Sequence, residues 1–198
     1  MEHDSPWQVM AREARAQARR IVEELDIEGH WRRAGGVVQA VGSFRTGLLV
    51  RHRDIDFHVY TPELDVRCSF RVMAGLACSP HLHSLHFING SRTAERCLEW
   101  HAVWRCPDEA PWQIDIIHMA MGSPFDGYFE RFADRLCQRL DAETRDIILR
   151  LKYETPASED IHGVEYYQAV LEGGVRTLAE LRRWRTRHPL EGVNLWMP

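Results

Sequence analysis

The sequence predicts an α/β (α+β) protein, with a mixed-sheet core over residues 1–122 followed by a helical region over residues 123–198. Two observations carry this expectation. Before residue 122, short runs of alternating apolar residues are interleaved with segments of helical spacing; from Phe125 onward only helical spacing remains. With 198 residues and 44% hydrophobic content, the chain is long enough to bury a substantial core.

Taken in order, the first element is a helix. Ser5 is placed to cap it, Pro6 suits its first position, and Met10, Ala14, Ala18, Ile21, Val22 and Leu25 recur on one face. After Gly35-Gly36, VVQAV reads as a short strand that ends in a Gly42-Ser43 turn, and IDFHVY reads as the next strand. Residues 65–78 carry helical spacing through Val66, Phe70, Met73 and Ala77. Three strand-like runs follow, LHSLHFI, RCLEWHAVW and WQIDIIHM, the first two joined by NGSRT as a hairpin turn. The helical region starts with GYFERFADRLCQRL and continues with segments opened by Asp141 and by Ser158. Its last helix starts with a capping box of Thr177 and Glu180.

Composition narrows the function classes. A net charge of −4 gives no global attraction to nucleic acid, and the basic run of Arg182, Arg183, Arg185 and Arg187 reads first as a solvated helix face. No apolar stretch approaches the roughly 20 residues that span a bilayer, and MEHDSPWQVM lacks the blocks of a signal peptide, so a cytoplasmic location without membrane partners is expected. The five cysteines are odd in number and never in a CxxC spacing, which argues against a disulfide framework or zinc knuckle and for small core residues. His81, His83, His86, His101 and His118 lack the spacing of a metallohydrolase, no GKS or GKT marks a P-loop, and no GxSxG surrounds Ser43.

The stretch GSFRTGLLVRHRDIDF is the most informative one. Side chains alternate along a strand, so Asp54 and Asp56 share a face while Ile55 and Phe57 take the other. Two carboxylates so placed repel by about 4 kcal/mol at 4 Å and protein-surface dielectric, which calls for a cation to offset them. The later run QIDII supplies Asp115 between Ile114 and Ile116.

Val41, Gly42, Ser43, a spacer of ten residues, then Asp54, Ile55, Asp56 and Phe57, with Asp115 further on, resembles the motif of the polymerase-beta-like nucleotidyltransferase superfamily. The stretch GVEYYQAVLEGGVRT is also similar to small stand-alone bacterial nucleotidyltransferase-like proteins. The resemblance implies transfer of a nucleoside monophosphate from an NTP, with ATP the expected donor, to an acceptor hydroxyl. Two Mg2+ ions, or Mn2+ in their place, would be held by Asp54, Asp56 and Asp115, with Asp115 also helping to accept the hydroxyl proton. The glycine of Gly42-Ser43 lets backbone approach phosphate, and the serine hydroxyl can donate to it. Lys152, the only lysine, suits a triphosphate as a point charge, and Tyr166 or Tyr167 suits base stacking. The acceptor stays open between a small molecule and a protein hydroxyl, with an RNA end the weaker expectation. The rival reading is a non-catalytic binding module of the same fold, or an antitoxin-like partner of a toxin. The oligomeric state is not legible.

Overall fold

The computed structural model describes residues 4–107, 109–190 and 194–198, and these form eight helices and one five-stranded sheet. Helix α1 (Pro6–Leu25) opens where the Ser5 hydroxyl accepts from the Gln8 amide, and it buries Ala11, Ala18, Ile21 and Leu25. Asp26 breaks the helix by turning left-handed at φ 45°. A second helix, α2 (Ile27–Arg33), for which the sequence pattern predicts no element, then buries Ile27 and Trp31.

Strand β1 (Val37–Ala40) leads into α3 (Gly42–Thr46), a short helix where a Gly-Ser turn was expected. Strand β2 (Asp54–Thr61), helix α4 (Val66–Leu76) and strands β3 (Leu82–Gly90), β4 (Cys97–Trp104) and β5 (Trp112–Ala120) complete the sheet-bearing part. The strand order is β1-β2-β5-β4-β3. Only β2 and β5 run parallel; the other neighbours are antiparallel, which makes the sheet mixed as expected. One sheet face is apolar: Ile55, Phe57, Ile114, Ile116, Trp100 and Ala102 pack against α1, α2 and α4 through Ile21, Trp31 and Met73. Burial of these side chains, about 1.5–3 kcal/mol each, fixes which face of β2 is left to carry Asp54 and Asp56.

The remaining helices are α5 (Tyr128–Arg139), α6 (Ala142–Glu154), α7 (Gly163–Leu171) and α8 (Leu178–Arg187). Asp141 caps α6 and Thr177 with Glu180 caps α8, as the sequence indicates. Helix α7 differs from expectation. It starts at Gly163 rather than near Ser158, because the Glu165 side chain accepts from the His162 amide at 2.8 Å and its other oxygen takes the Arg185 guanidinium at 2.6 Å. A second core gathers Leu136, Ile148, Leu151, Tyr166, Leu181 and Trp184, together with Ala11, Leu48 and Val50 from earlier in the chain. The cysteines depart from the expected burial. All five are free and only Cys97 is buried, while Cys78 and Cys137 are exposed. No helix among the described residues is long and apolar enough to cross a membrane.

Candidate functional site

The polar face of β2 carries Asp54 and Asp56, and the parallel register of β2 with β5 sets Asp115 directly beside Asp56. The residues between them in sequence point into the apolar core, so all three carboxylates emerge on one side of the sheet. Helix α3 is held against them. The Val41 amide donates to the Asp56 carbonyl at 2.9 Å, and Gly42 adopts φ 61° so close to Asp56 that an added Cβ would lie 2.1 Å from Oδ2. Glycine is therefore required twice, for the left-handed backbone and for the space. At the other end of α3, Arg15 donates to the Arg45 carbonyl and Arg145 to the Thr46 carbonyl, each at 3.0 Å. Cations at a helix C-terminus are favourable there, and they pin the element that presents Ser43.

Lys152 arrives from the last turn of α6. Its Nζ donates to Ser43 Oγ at 2.6 Å, and Ser43 Oγ also lies 3.3 Å from the Tyr167 hydroxyl. Lys152 is only 6% exposed, so its charge lies inside the protein rather than in solvent. Its charge favours ionised Asp54 and Asp56, yet the opposing effects win. Burial first, then Asp115 and Asp54, push the Asp56 carboxyl up to about 7. Asp54 is also raised, chiefly by burial and next by Asp115, against the opposing pull of His52 and Lys152.

A cavity of about 520 Å3 opens in front of these groups. Gly42, Ser43, Asp54, Asp56 and Lys152 line its polar end, while Phe129, Phe132, Ile161 and Val164 line its apolar walls. Tyr166 also borders it but is 2% exposed, with its hydroxyl donating to Thr155 Oγ1 at 2.9 Å. Asp115 lies outside this lining, one strand further along. Its Oδ1 pairs with His101 Nδ1 at 2.8 Å, and Gln113 Nε2 donates to both its oxygens at 2.9 and 3.1 Å. His118, by contrast, is fully buried on the other face, packed on Trp31. Sequence reasoning missed His101 and Gln113 as neighbours of Asp115, and it missed the aromatic walls from α5. Strand alternation places His101 on a face, but only the β4–β5 pairing sets it beside Asp115.

The residues fit a divalent cation. Asp54 and Asp56 face the cavity and Asp115 stands beside Asp56 on the next strand, and burial with the two neighbouring acids pushes the Asp56 carboxyl up to about 7, a crowding that a bound cation would relieve. Among the described residues, no group of three or more His, Cys, Asp or Glu side chains is drawn together as a ready cage.

No protein-family model matches the sequence, and no curated protein matches it significantly. Solved structures do match the fold. The poly(A) polymerase complex of GLD-2 with GLD-3 is similar at TM-score 0.57 and 11% identity, over 84% of this chain and 57% of that one. The Cid1 poly(U) polymerase bound to MgGTP is similar at TM-score 0.56 and 17% identity, over 80% of this chain and 50% of that one. A cytoplasmic RNA terminal U-transferase is similar at TM-score 0.52 and 15% identity, over 83% and 53%. The chain thus spans between half and three-fifths of the length of these structures. It shares the fold of these structures.

Proposed function

We propose, on the premise of this fold, that the chain transfers a nucleoside monophosphate from an NTP, ATP in the first instance, to an acceptor hydroxyl. One observation carries the reading: Asp54, Asp56 and Asp115 emerge on one sheet face beside a glycine whose missing side chain leaves room for the Asp56 carboxylate. In this reading the three carboxylates hold two magnesium ions. The ions, when bound, supply charge neutralisation for the attacking and leaving oxygens.

The chain's own residues do the rest. Ser43 and Lys152, already hydrogen-bonded to each other, take the β- and γ-phosphates, with Lys152 as a buried cation whose three donors can be shared between serine and phosphate. Gly42 allows the main chain to lie close to the phosphates. Phe129, Phe132, Ile161 and Val164 exclude water from one side of the nucleotide, and Tyr166 stiffens that wall from behind through Thr155. Asp115, at the edge of the cavity, accepts the proton of the acceptor hydroxyl.

A division near residue 122 would have a meaning in this reading: the sheet-bearing part supplies the acids and the helical part supplies Lys152 and the far wall. The test is magnesium-dependent release of pyrophosphate from ATP, with Asp54→Asn as control. Release that Asp54→Asn abolishes supports the enzyme. Partner capture that persists in Asp54→Asn, without pyrophosphate release by the wild type, would instead mark a binding module.

A further inference from the structure

The sheet has two edges, and they are finished differently. At one, β1 contributes four residues. At the other, β3 contributes nine, and among the described residues β4 is its only strand neighbour. Its outer row of amides and carbonyls can therefore accept another strand. Edge strands are normally guarded by lysine, by other charges or by proline, and LHSLHFING contains none of these. Its one guarding device is a bulge between Leu82 and Ser84, which leaves residues 84–90 regular.

Apolar side chains flank this edge above and below. On the apolar face of the sheet, Phe70 of α4 lies 4.6 Å from the Phe87 ring and 4.7 Å from that of Trp100, yet it is 45% exposed. Ala74 and Ala77 follow Phe70 on the exposed side of α4, whose only charges are Arg67 and Arg71. On the opposite face, in the row that leads through Glu99 and Ile117 to His58, Ile88 is 40% exposed.

We infer that β3 pairs with β3 of a second copy of this chain, antiparallel about a two-fold axis at His86, joining two sheets into one of ten strands. The inference is independent of the proposed transfer. The axis sets Leu85 of each copy opposite Phe87 of the other, beside the two Phe70 rings, and Ser84 opposite Ile88 on the other face; cross-strand apolar pairs stabilise such a ladder. The ends match in charge. The hairpin after β3, SRTAER, carries Arg92 and Arg96 to one glutamate, and neither arginine has an acidic partner among the described residues. The antiparallel arrangement lays it beside the start of β3 in the other copy. There Glu24 lies 2.8 Å from His81 Nδ1 and pairs with no arginine or lysine among the described residues.

The size is adequate. Nine residues of strand extend about 30 Å, and with α4 above and the polar-face side chains below, the contact buries on the order of 1,200 Å2 in total, where stable interfaces begin. Pairing β3 with itself closes the assembly at two copies, whereas pairing it with β1 would propagate without end. Because the axis is perpendicular to the sheet, both sets of acids emerge on the same side, roughly 35 Å apart at the usual strand spacing.

Sedimentation velocity from 1 to 100 µM tests the assembly. The expected species at the upper end has twice the 23.1 kDa mass of the chain. Ile88→Lys should weaken dimerisation at least tenfold with the far-UV circular dichroism unchanged, and Phe70→Arg provides a second variant on the other face. Cross-linking reads the location, in a background where the exposed Cys78 and Cys137 are replaced by serine. Paired Cα atoms across an antiparallel ladder stand about 4.5–5.5 Å apart, within disulfide reach, so His86→Cys should oxidise to a covalent dimer; Ser84→Cys, about 13 Å from its own copy, should not. A wild type that stays monomeric at 100 µM would overturn the inference and leave the edge to a strand from another protein. So would a dimer indifferent to both Ile88→Lys and Phe70→Arg, or one that His86→Cys does not cross-link.

Discussion

Asp56 is the residue whose chemistry is most exposed to test. Its carboxyl is raised to about 7 by burial and neighbouring acids, whereas the unfolded chain ionises near 3.8. The folded state therefore holds the extra proton between those values, so stability falls as pH rises from about 4 to about 7. Asp56→Asn removes the titration, and at pH 8 without metal the variant should melt higher than wild type by a few degrees, while at pH 4 the two converge. Millimolar Mg2+ should raise the wild-type melting temperature and leave the variant's unchanged. A variant no more stable at pH 8 would mean that Lys152 already neutralises the site. His118 runs the opposite way. Thr61 Oγ1 donates to the Glu63 carbonyl at 2.6 Å, so His118 Nε2 must be the donor in its 2.7 Å bond to Thr61, and its buried Nδ1 has no partner. Burial holds its pKa down at about 4. It contributes stability, about 3 kcal/mol in full, that is present above pH 6.5 and lost as pH falls through 4. Imidazole nitrogen shifts should report one neutral Nε2–H tautomer at pH 5.5. Lys152→Ala should weaken triphosphate binding roughly tenfold to a hundredfold, with far less effect on monophosphate, as calorimetry can measure. Equal loss for both would point to disturbance of α6 rather than to a phosphate contact.

At the scale of elements, the five residues of α3 set Gly42 against Asp56 and Ser43 against Lys152. Gly42→Ala combines left-handed strain of about 1–2 kcal/mol with displacement of the Asp56 carboxylate from its place. The expected result is a folded protein, lowered by only a few degrees in melting temperature, that has lost metal-dependent ATP binding. Unchanged binding would show that α3 yields without cost. Legibility in the sequence follows the range of the interactions. Strand alternation and the Gly-Ser to Asp-Ile-Asp spacing are local, and they sufficed to place Asp54, Asp56, Asp115 and the strands that bear them. The start of α7 was not legible, because Glu165 is held by Arg185 from a helix twenty residues away. Helix α2 escaped notice because its boundary is a left-handed Asp26 with no glycine or proline to mark it. His101 needed the pairing of β4 with β5, and no local pattern encodes which strand lies beside which.

For the molecule as a whole, two large apolar cores border the cavity, and a third, small cluster joins Tyr60, Cys97 and Met119. The first lies under the sheet; the second joins the C-terminal helices to Ala11, Leu48 and Val50. A fragment ending at residue 122 should lack a cooperative melting transition and bind hydrophobic dye, since those three side chains lose their cover. A sharp transition in the fragment would show that the sheet-bearing part stands alone. Helix α1 serves both cores, giving Ala18, Ile21 and Leu25 to one and Ala11 to the other. Synthesis on the ribosome runs from α1 to α8, so the first helix emerges long before Leu136, Ile148 and Trp184 can close over it. The nascent chain can pair its strands early, but Ser43 waits for Lys152 and Ala11 for the last helices. Assembly of the site therefore follows synthesis of the C-terminal helices, and a nascent chain that stops short of α6 carries its three acids without Lys152.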